Sequence, residues 1–250
     1  MKSLYYSFIF LFILSSCSSV YISSPKNVPL FEKKGEVQIE AGTSTNSIFA
    51  TGSYAFSEKY ALIANGNLSF HNFSPFYDLS DILRKSDYSL FWMTNEKLAY
   101  RSFESGLGRY NLLSSSSKWR LETFAGAMYG ESRSEYWHFQ NRHLQGFLQL
   151  NIGKRSKYDE IGWSSRIAYS HFSSEQEWST DITYAKFNVF HIENFFFSRF
   201  GGEHIKVTLR YGFNLVYPGS FYSSFKNFNI DRGYSIFHFS VGLTYRFPKT

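Results

Sequence analysis

The stretch SIFHFSVGLTYRF near the end of the chain alternates without a break. Phe237, Phe239, Val241, Leu243, Tyr245 and Phe247 share one parity, and His238, Ser240, Gly242, Thr244 and Arg246 share the other. Successive side chains of a strand point to opposite faces, so this pattern predicts a strand with one apolar and one polar face. Residues 205–217 repeat it: Val207, Leu209, Tyr211, Phe213 and Leu215 oppose Lys206, Thr208, Arg210, Gly212 and Asn214. So does KYALIANGNLSFH, with Tyr60, Leu62, Ala64, Gly66, Leu68 and Phe70 against Ala61, Ile63, Asn65, Asn67, Ser69 and His71.

Read onward in this way, the chain predicts about ten strands, near 36–43, 47–57, 60–71, 98–110, 119–131, 143–154, 160–172, 186–198, 204–217 and 234–247. Most exceed the five or six residues of an average strand, and they reach the roughly 9–11 residues that cross a bilayer at a tilt. Short connections near 57–59, 111–118, 155–159 and 199–203 alternate with longer ones near 72–97, 132–142, 173–185 and 218–233. Short turns at one end and long loops at the other predict an all-β fold: a transmembrane antiparallel up-and-down β-barrel of about ten strands, both termini on the short-turn side. The last strand, SVGLTYRF, resembles the aromatic-terminated closing strand of outer-membrane β-barrel proteins, and FESGLGRYN at 103–111 is similar to strands of small, porin-like barrels. The resemblance implies the fold and leaves the activity open.

Composition fits this reading. Aromatic residues make up 21% of the chain, with 28 Phe and 19 Tyr, yet the mean hydropathy is negative. Rings placed at strand ends (Tyr60, Trp119, Trp163, Tyr217, Tyr234, Tyr245, Phe247) match the interfacial belts of membrane proteins. The formal charge of +6 is not gathered into a stripe, so no nucleic-acid partner is expected. Membrane lipid and lipopolysaccharide are the expected partners of the basic excess, beside an unspecified surface or envelope partner, and the barrel is expected to be a monomer.

With the apolar parity turned to lipid, the other parity fills the lumen. It collects Glu36, Glu40, Glu104, Glu122 and Glu193 with Arg120, Arg166, Arg210 and Arg246, joined by Lys206, His191 and His238. Unpaired charges in a narrow interior are costly, so these are expected to form an ion-pair network. The network either plugs the barrel or lines a narrow porin-like channel.

The chain opens with Lys2 and the apolar run LYYSFIFLFIL, whose last leucine begins LSSC at 14–17. The run is too short for a membrane helix and fits a secretory signal. Together with Cys17, the only cysteine, it resembles a bacterial lipoprotein signal peptide. That resemblance implies a signal peptide over 1–16, acylation of Cys17 by fatty acids such as palmitate, and an anchor in the outer membrane. Residues 17–34, with Pro25 and Pro29, then read as a lipidated N-terminus and irregular tether leading to a barrel over 35–250. A tether from the short-turn side suits a lipid in the inner leaflet of that membrane.

Catalytic signals are few. His171 and Ser173 form a His-x-Ser on one strand face, similar to lipid A deacylase barrels, and such a pair needs an acid to orient the base. Asp78, Asp81 and Asp87 lack EF-hand spacing, and no HExxH or cofactor fingerprint occurs, so no metal and no cofactor are expected. The chain therefore reads as a structural or surface-interaction barrel rather than an enzyme. The alternatives are the narrow channel, the deacylase-type esterase, and a periplasmic soluble barrel lipoprotein that turns its Phe/Leu face inward around an apolar ligand.

Overall fold

A computed structural model describes residues 24–44, 47–69, 98–113, 118–134, 139–178, 181–218 and 237–248. Ten antiparallel strands close into an up-and-down barrel in sequence order. They are β1 (Val37–Ser44), β2 (Ile48–Tyr54), β3 (Tyr60–Ser69), β4 (Leu98–Leu112), β5 (Trp119–Ser134), β6 (Phe139–Arg155), β7 (Asp159–Trp178), β8 (Asp181–Gly201), β9 (Ile205–Pro218) and β10 (Phe237–Arg246). β1 closes the ring. Its Ala41 stands opposite Ala50 of β2 and Leu243 of β10. Closure leaves no open sheet edge, which is what a membrane demands of a β-structure.

The alternating pattern sets the orientation. Leu62, Leu68, Phe103, Leu107, Leu144, Leu148, Ile167, Leu215 and Leu243 are exposed on the outer wall. Their odd- or even-numbered neighbours, among them Asn65, Glu104, Gln145, Gln149, Arg166, Asn214 and Thr244, are buried within. An apolar wall around a polar interior is the layout of a membrane barrel. It overturns the soluble-barrel alternative, which required the Phe/Leu face to point inward. Tyr60, Trp119, Trp163, Tyr217 and Phe247 also face outward, while Tyr234 lies outside the described residues.

Two predicted loops are corrected. Residues 173–185 continue as strand on both sides of 179–180, with Ser173 opposite Lys186 and Glu175 opposite Tyr184. On both sides of 135–138, residues 132–134 and 139–142 likewise extend the β5–β6 hairpin, with Ser132 opposite Asn141. The polar sequences there conceal strands because the outer face, no longer against lipid, is polar like the buried inner one, so hydropathy stops alternating. The wall is consequently uneven: β7 and β8 run 20 and 21 residues, β1 and β2 only 8 and 7. The predicted loops near 72–97 and 218–233 lie, apart from Pro218, outside the described residues, as do Asp78, Asp81 and Asp87.

At the short-turn end, Ser156 N–H donates to Asp159 O at 2.9 Å and Gly202 N–H to Ile205 O at 2.8 Å. The main surprise is the stretch read as a tether. Residues 24–31 are irregular, and all of them are buried inside the barrel. Gly35, with φ +84, turns this inner segment into β1, and its N–H donates to Ala55 O at 2.7 Å. Few residues other than glycine tolerate that backbone conformation.

Candidate functional site: a lumen closed by ion pairs and by the inner segment

At the short-turn end, Glu160 of β7 is the hub. Its carboxylate lies 3.0 Å from Arg199, 2.6 Å from Arg246 and 3.3 Å from Lys206. Arg246 also donates to Gln38 Oε1 at 2.7 Å and to Pro29 O at 2.9 Å. Arg155, the last residue of β6, donates to Glu36 at 2.7 Å and to Leu30 O at 2.9 Å. Arg120 reaches Glu32 at 2.8 Å. The barrel's arginines thus bind both carboxylates and the carbonyls of the inner segment, which has no sheet partner for them.

Halfway up the lumen, Arg166 makes a two-pronged contact with Glu104, at 2.7 and 2.8 Å, and lies 3.9 Å from the centroid of Phe147. Such paired, planar contacts are the strong form of charge-assisted hydrogen bond. Lys26 of the inner segment meets Glu193 of β8 at 2.8 Å. Ser24 Oγ donates to Glu104 at 3.4 Å, Asn27 Nδ2 donates to Gly52 O at 2.8 Å, and Gln149 Nε2 donates to Asn27 O at 2.9 Å. On the other side of the barrel, Arg210 pairs with both oxygens of Glu40, to which Thr244 Oγ1 also donates at 3.0 Å.

Apolar contacts seat the segment as well. Phe31 enters a buried cluster with Ala55, Ala61, Ile63, Tyr110, Phe124, Phe147 and Ala168. Val28 and Leu30 pack with Phe197. Leu30 adopts φ +53, a left-handed conformation costing about 1–2 kcal/mol for a residue with a Cβ. The Arg155 contact to its carbonyl and its packing against Phe197 hold it there.

All nine predicted lumen residues are buried on the inward face. The structure brings Glu40 to Arg210, Glu104 to Arg166, Glu36 to Arg155 and Arg246 to Glu160. Glu122 differs. It accepts from Phe31 N–H at 2.8 Å and from Asn151 Nδ2 at 3.0 Å, so its described hydrogen bonds come from neutral donors. Sequence reasoning missed Glu160, Arg155, Arg199 and Lys26. The first three stood in or beside predicted turns. Arg199 keeps the parity of His191 and Glu193, but the inward rings Phe195 and Phe197 interrupt the polar series. Lys26 had no signal, because an irregular segment has no period.

Above Lys26, the lumen holds a stack of rings. His143 lies between Tyr100 and Phe172, at 6.2 and 4.9 Å between centroids, and Phe172 stacks on Phe187 at 4.9 Å. His191 and His238 are buried in the lumen too. His171 and Ser173 do share a face, but it is the exposed outer one, and His171 Nδ1 pairs with Asn188 Oδ1 at 2.8 Å.

No protein-family profile and no curated protein matches the sequence. Among solved structures, the chain is similar to the outer membrane protease OmpT from Escherichia coli. The TM-score is 0.50 and the identity 11%, over 85% of this chain and 96% of that one. Two structures of OmpT from Vibrio cholerae cover the same share of this chain at 10% identity, but their TM-scores of 0.22 and 0.21 are too low to carry weight. The expectation of a non-enzymatic barrel is corrected by the first likeness. A ten-strand wall of this layout serves a protease, so neither the layout nor the missing soluble-enzyme motifs speak against catalysis. At 11% identity the shared property is the fold: a closed, ten-strand, antiparallel barrel of the outer-membrane type.

Proposed function

We propose that the chain is an integral outer-membrane β-barrel, anchored further by lipid on Cys17, that acts through the surfaces it presents beyond the membrane. The observation that carries this reading is the pairing of an apolar outer wall with a filled interior. With residues 24–31 in place, the short-turn half of the lumen is occupied by side chains and backbone, which disfavours a standing porin-like channel. Structural and surface-interaction roles then fall to the outer wall and the long-loop mouth.

Lipopolysaccharide is the proposed lipid partner. Toward the long-loop end of the outer wall, Arg101 and Arg142 flank Glu131. Arg101 Nε donates to it at 2.7 Å, Arg142 Nε stands 3.5 Å away, and Tyr129 Oη donates at 2.6 Å. Two guanidinium groups share one carboxylate, and their side chains are 71% and 60% exposed. The surplus positive charge faces outward, where phosphorylated headgroups would meet it.

Gel mobility of the outer-membrane fraction, with and without boiling, tests the reading. A heat-dependent shift is expected for a closed barrel. An unshifted protein that leaves the membrane when Cys17→Ser is introduced would overturn it.

A further inference from the structure

We propose that the inner segment threads the barrel from end to end, so that the chain upstream of Ser24 leaves by the long-loop mouth, on the side opposite the short turns. The direction of the segment supports this. Leu30 O is held by Arg155, at the short-turn end of β6, and Phe31 N–H by Glu122, near the start of β5. Six to seven residues upstream, Ser24 touches Glu104, eight residues in from the end of β4 at Leu112. Lys26 touches Glu193, eight residues in from the end of β8 at Gly201. Eight residues of tilted strand correspond to about 20 Å of height. Toward its N-terminal end, then, the segment climbs from the short-turn end to mid-lumen.

A chain inside a closed barrel has two ways out. The way back is filled by the segment itself, by the Phe31 cluster and by the Glu160 hub. The way forward is short on one side. β1 spans only eight residues from the short-turn end, Val37–Ser44, about 20 Å of height at the usual tilt, so its far end stands level with the Ser24–Glu104 contact. Cys17 lies seven positions upstream of Ser24, a reach of at most about 23–25 Å for any chain of that length. An acyl group on Cys17 would therefore reach the membrane leaflet at the long-loop side, not the inner leaflet implied by an external tether. This placement of the acyl group rests on the proposed acylation, whereas the threading itself does not.

The test places one cysteine at each end in the full chain, Ser19→Cys or Tyr158→Cys, and labels cells with a membrane-impermeant maleimide. Tyr158 sits in the short turn between β6 and β7. The expected result is that the two positions label from opposite sides: Ser19→Cys at least tenfold above the unaltered chain in intact cells, Tyr158→Cys only once the outer membrane is permeabilised. Labelling of both from the same side would overturn the proposal, and so would labelling of Ser19→Cys only after the barrel is denatured. The unaltered chain reports separately on acylation, since a free Cys17 thiol would label by itself.

Discussion

Lys26 Nζ lies 2.8 Å from Glu193 Oε2, and neither side chain has any exposed surface. The pair joins the inner segment to the barrel wall at mid-height, where Arg166 stands 3.9 Å from the same carboxylate. Breaking a buried pair costs about 3–5 kcal/mol, and reversing Lys26 also sets two carboxylates face to face. Lys26→Glu is therefore expected to release the segment, shifting its docked population by roughly two to four decades. Single-channel recordings in bilayers should show openings absent from the parent protein. The exchange Lys26→Glu with Glu193→Lys should close the lumen again, and openings that persist in the exchanged pair would sink this account.

The Glu160 hub is expected to govern barrel stability. Glu160→Gln leaves Arg199, Arg246 and Lys206 around a neutral amide. The expected loss is about 3–5 kcal/mol, as for other broken buried pairs. It is read as a lower denaturant midpoint of the refolded barrel in detergent. Glu203 gives the contrast. In an exposed turn, it pairs with Lys157 at 3.2 Å, and the hydrogen bond from that ammonium lowers its pKa. A lowered carboxylate pKa favours the folded state above the ordinary carboxylate range, and the benefit is lost as pH falls through the folded value. Because the pair is exposed, Lys157→Ala is expected to move the Glu203 titration upward without moving the midpoint measurably.

Gly126 makes room for the ring that carries Arg166. A Cβ there would collide with Ser105 O and come within 2.6 Å of Phe147 Cζ. The Arg166 guanidinium rests on that ring. Gly126→Val is expected to push Phe147 aside, loosen the Arg166–Glu104 contact and lower the unfolding midpoint. Gly146→Ala, where a Cβ meets nothing within 4 Å, should leave it in place. Equal effects from the two would remove the packing explanation.

The outer wall is tested at Leu148, exposed between the Trp163 level and Tyr129. Leu148→Arg is expected to destabilise the barrel by about 2–4 kcal/mol in lipid vesicles, the cost of a cation at the midplane. The same change at Tyr184, exposed near the tip of β8, should be nearly silent. On the same wall, Arg101→Ala combined with Arg142→Ala is expected to cut co-purified lipopolysaccharide severalfold, with folding unchanged by gel shift. Undiminished lipid would remove that patch from the account.

Ten strands could be placed from the sequence because the bilayer enforces alternation wherever the wall crosses it. Leu243, Leu209 and Leu62 point out, and Thr244, Arg210 and Ile63 point in, as their parity requires. Legibility failed where that constraint lapses. The upper parts of β7 and β8 have polar outer faces, so Ser173, Glu175 and Tyr184 read as loop. The inner segment failed for a different reason. Its backbone is satisfied by side chains distant in sequence, such as Arg246 on Pro29, 217 residues away, and Gln149 on Asn27, 122 residues away. No local pattern encodes such partners. What was legible, in retrospect, is only the pair Pro25 and Pro29, residues suited to a strand-free path.

The unequal strand lengths give the protein a front and a back. β7 and β8 stand about 50 Å tall at the usual tilt, β1 only about 20 Å, against an apolar band of about 25 Å. Among the described residues, the rim is thus cut obliquely, high over β7 and β8 and low over β1 and β2. The described wall rises as a screen over β7 and β8, whereas β1 and β2 are no taller than the apolar band itself. Among the described strands, the sides of this mouth are therefore not equivalent approaches.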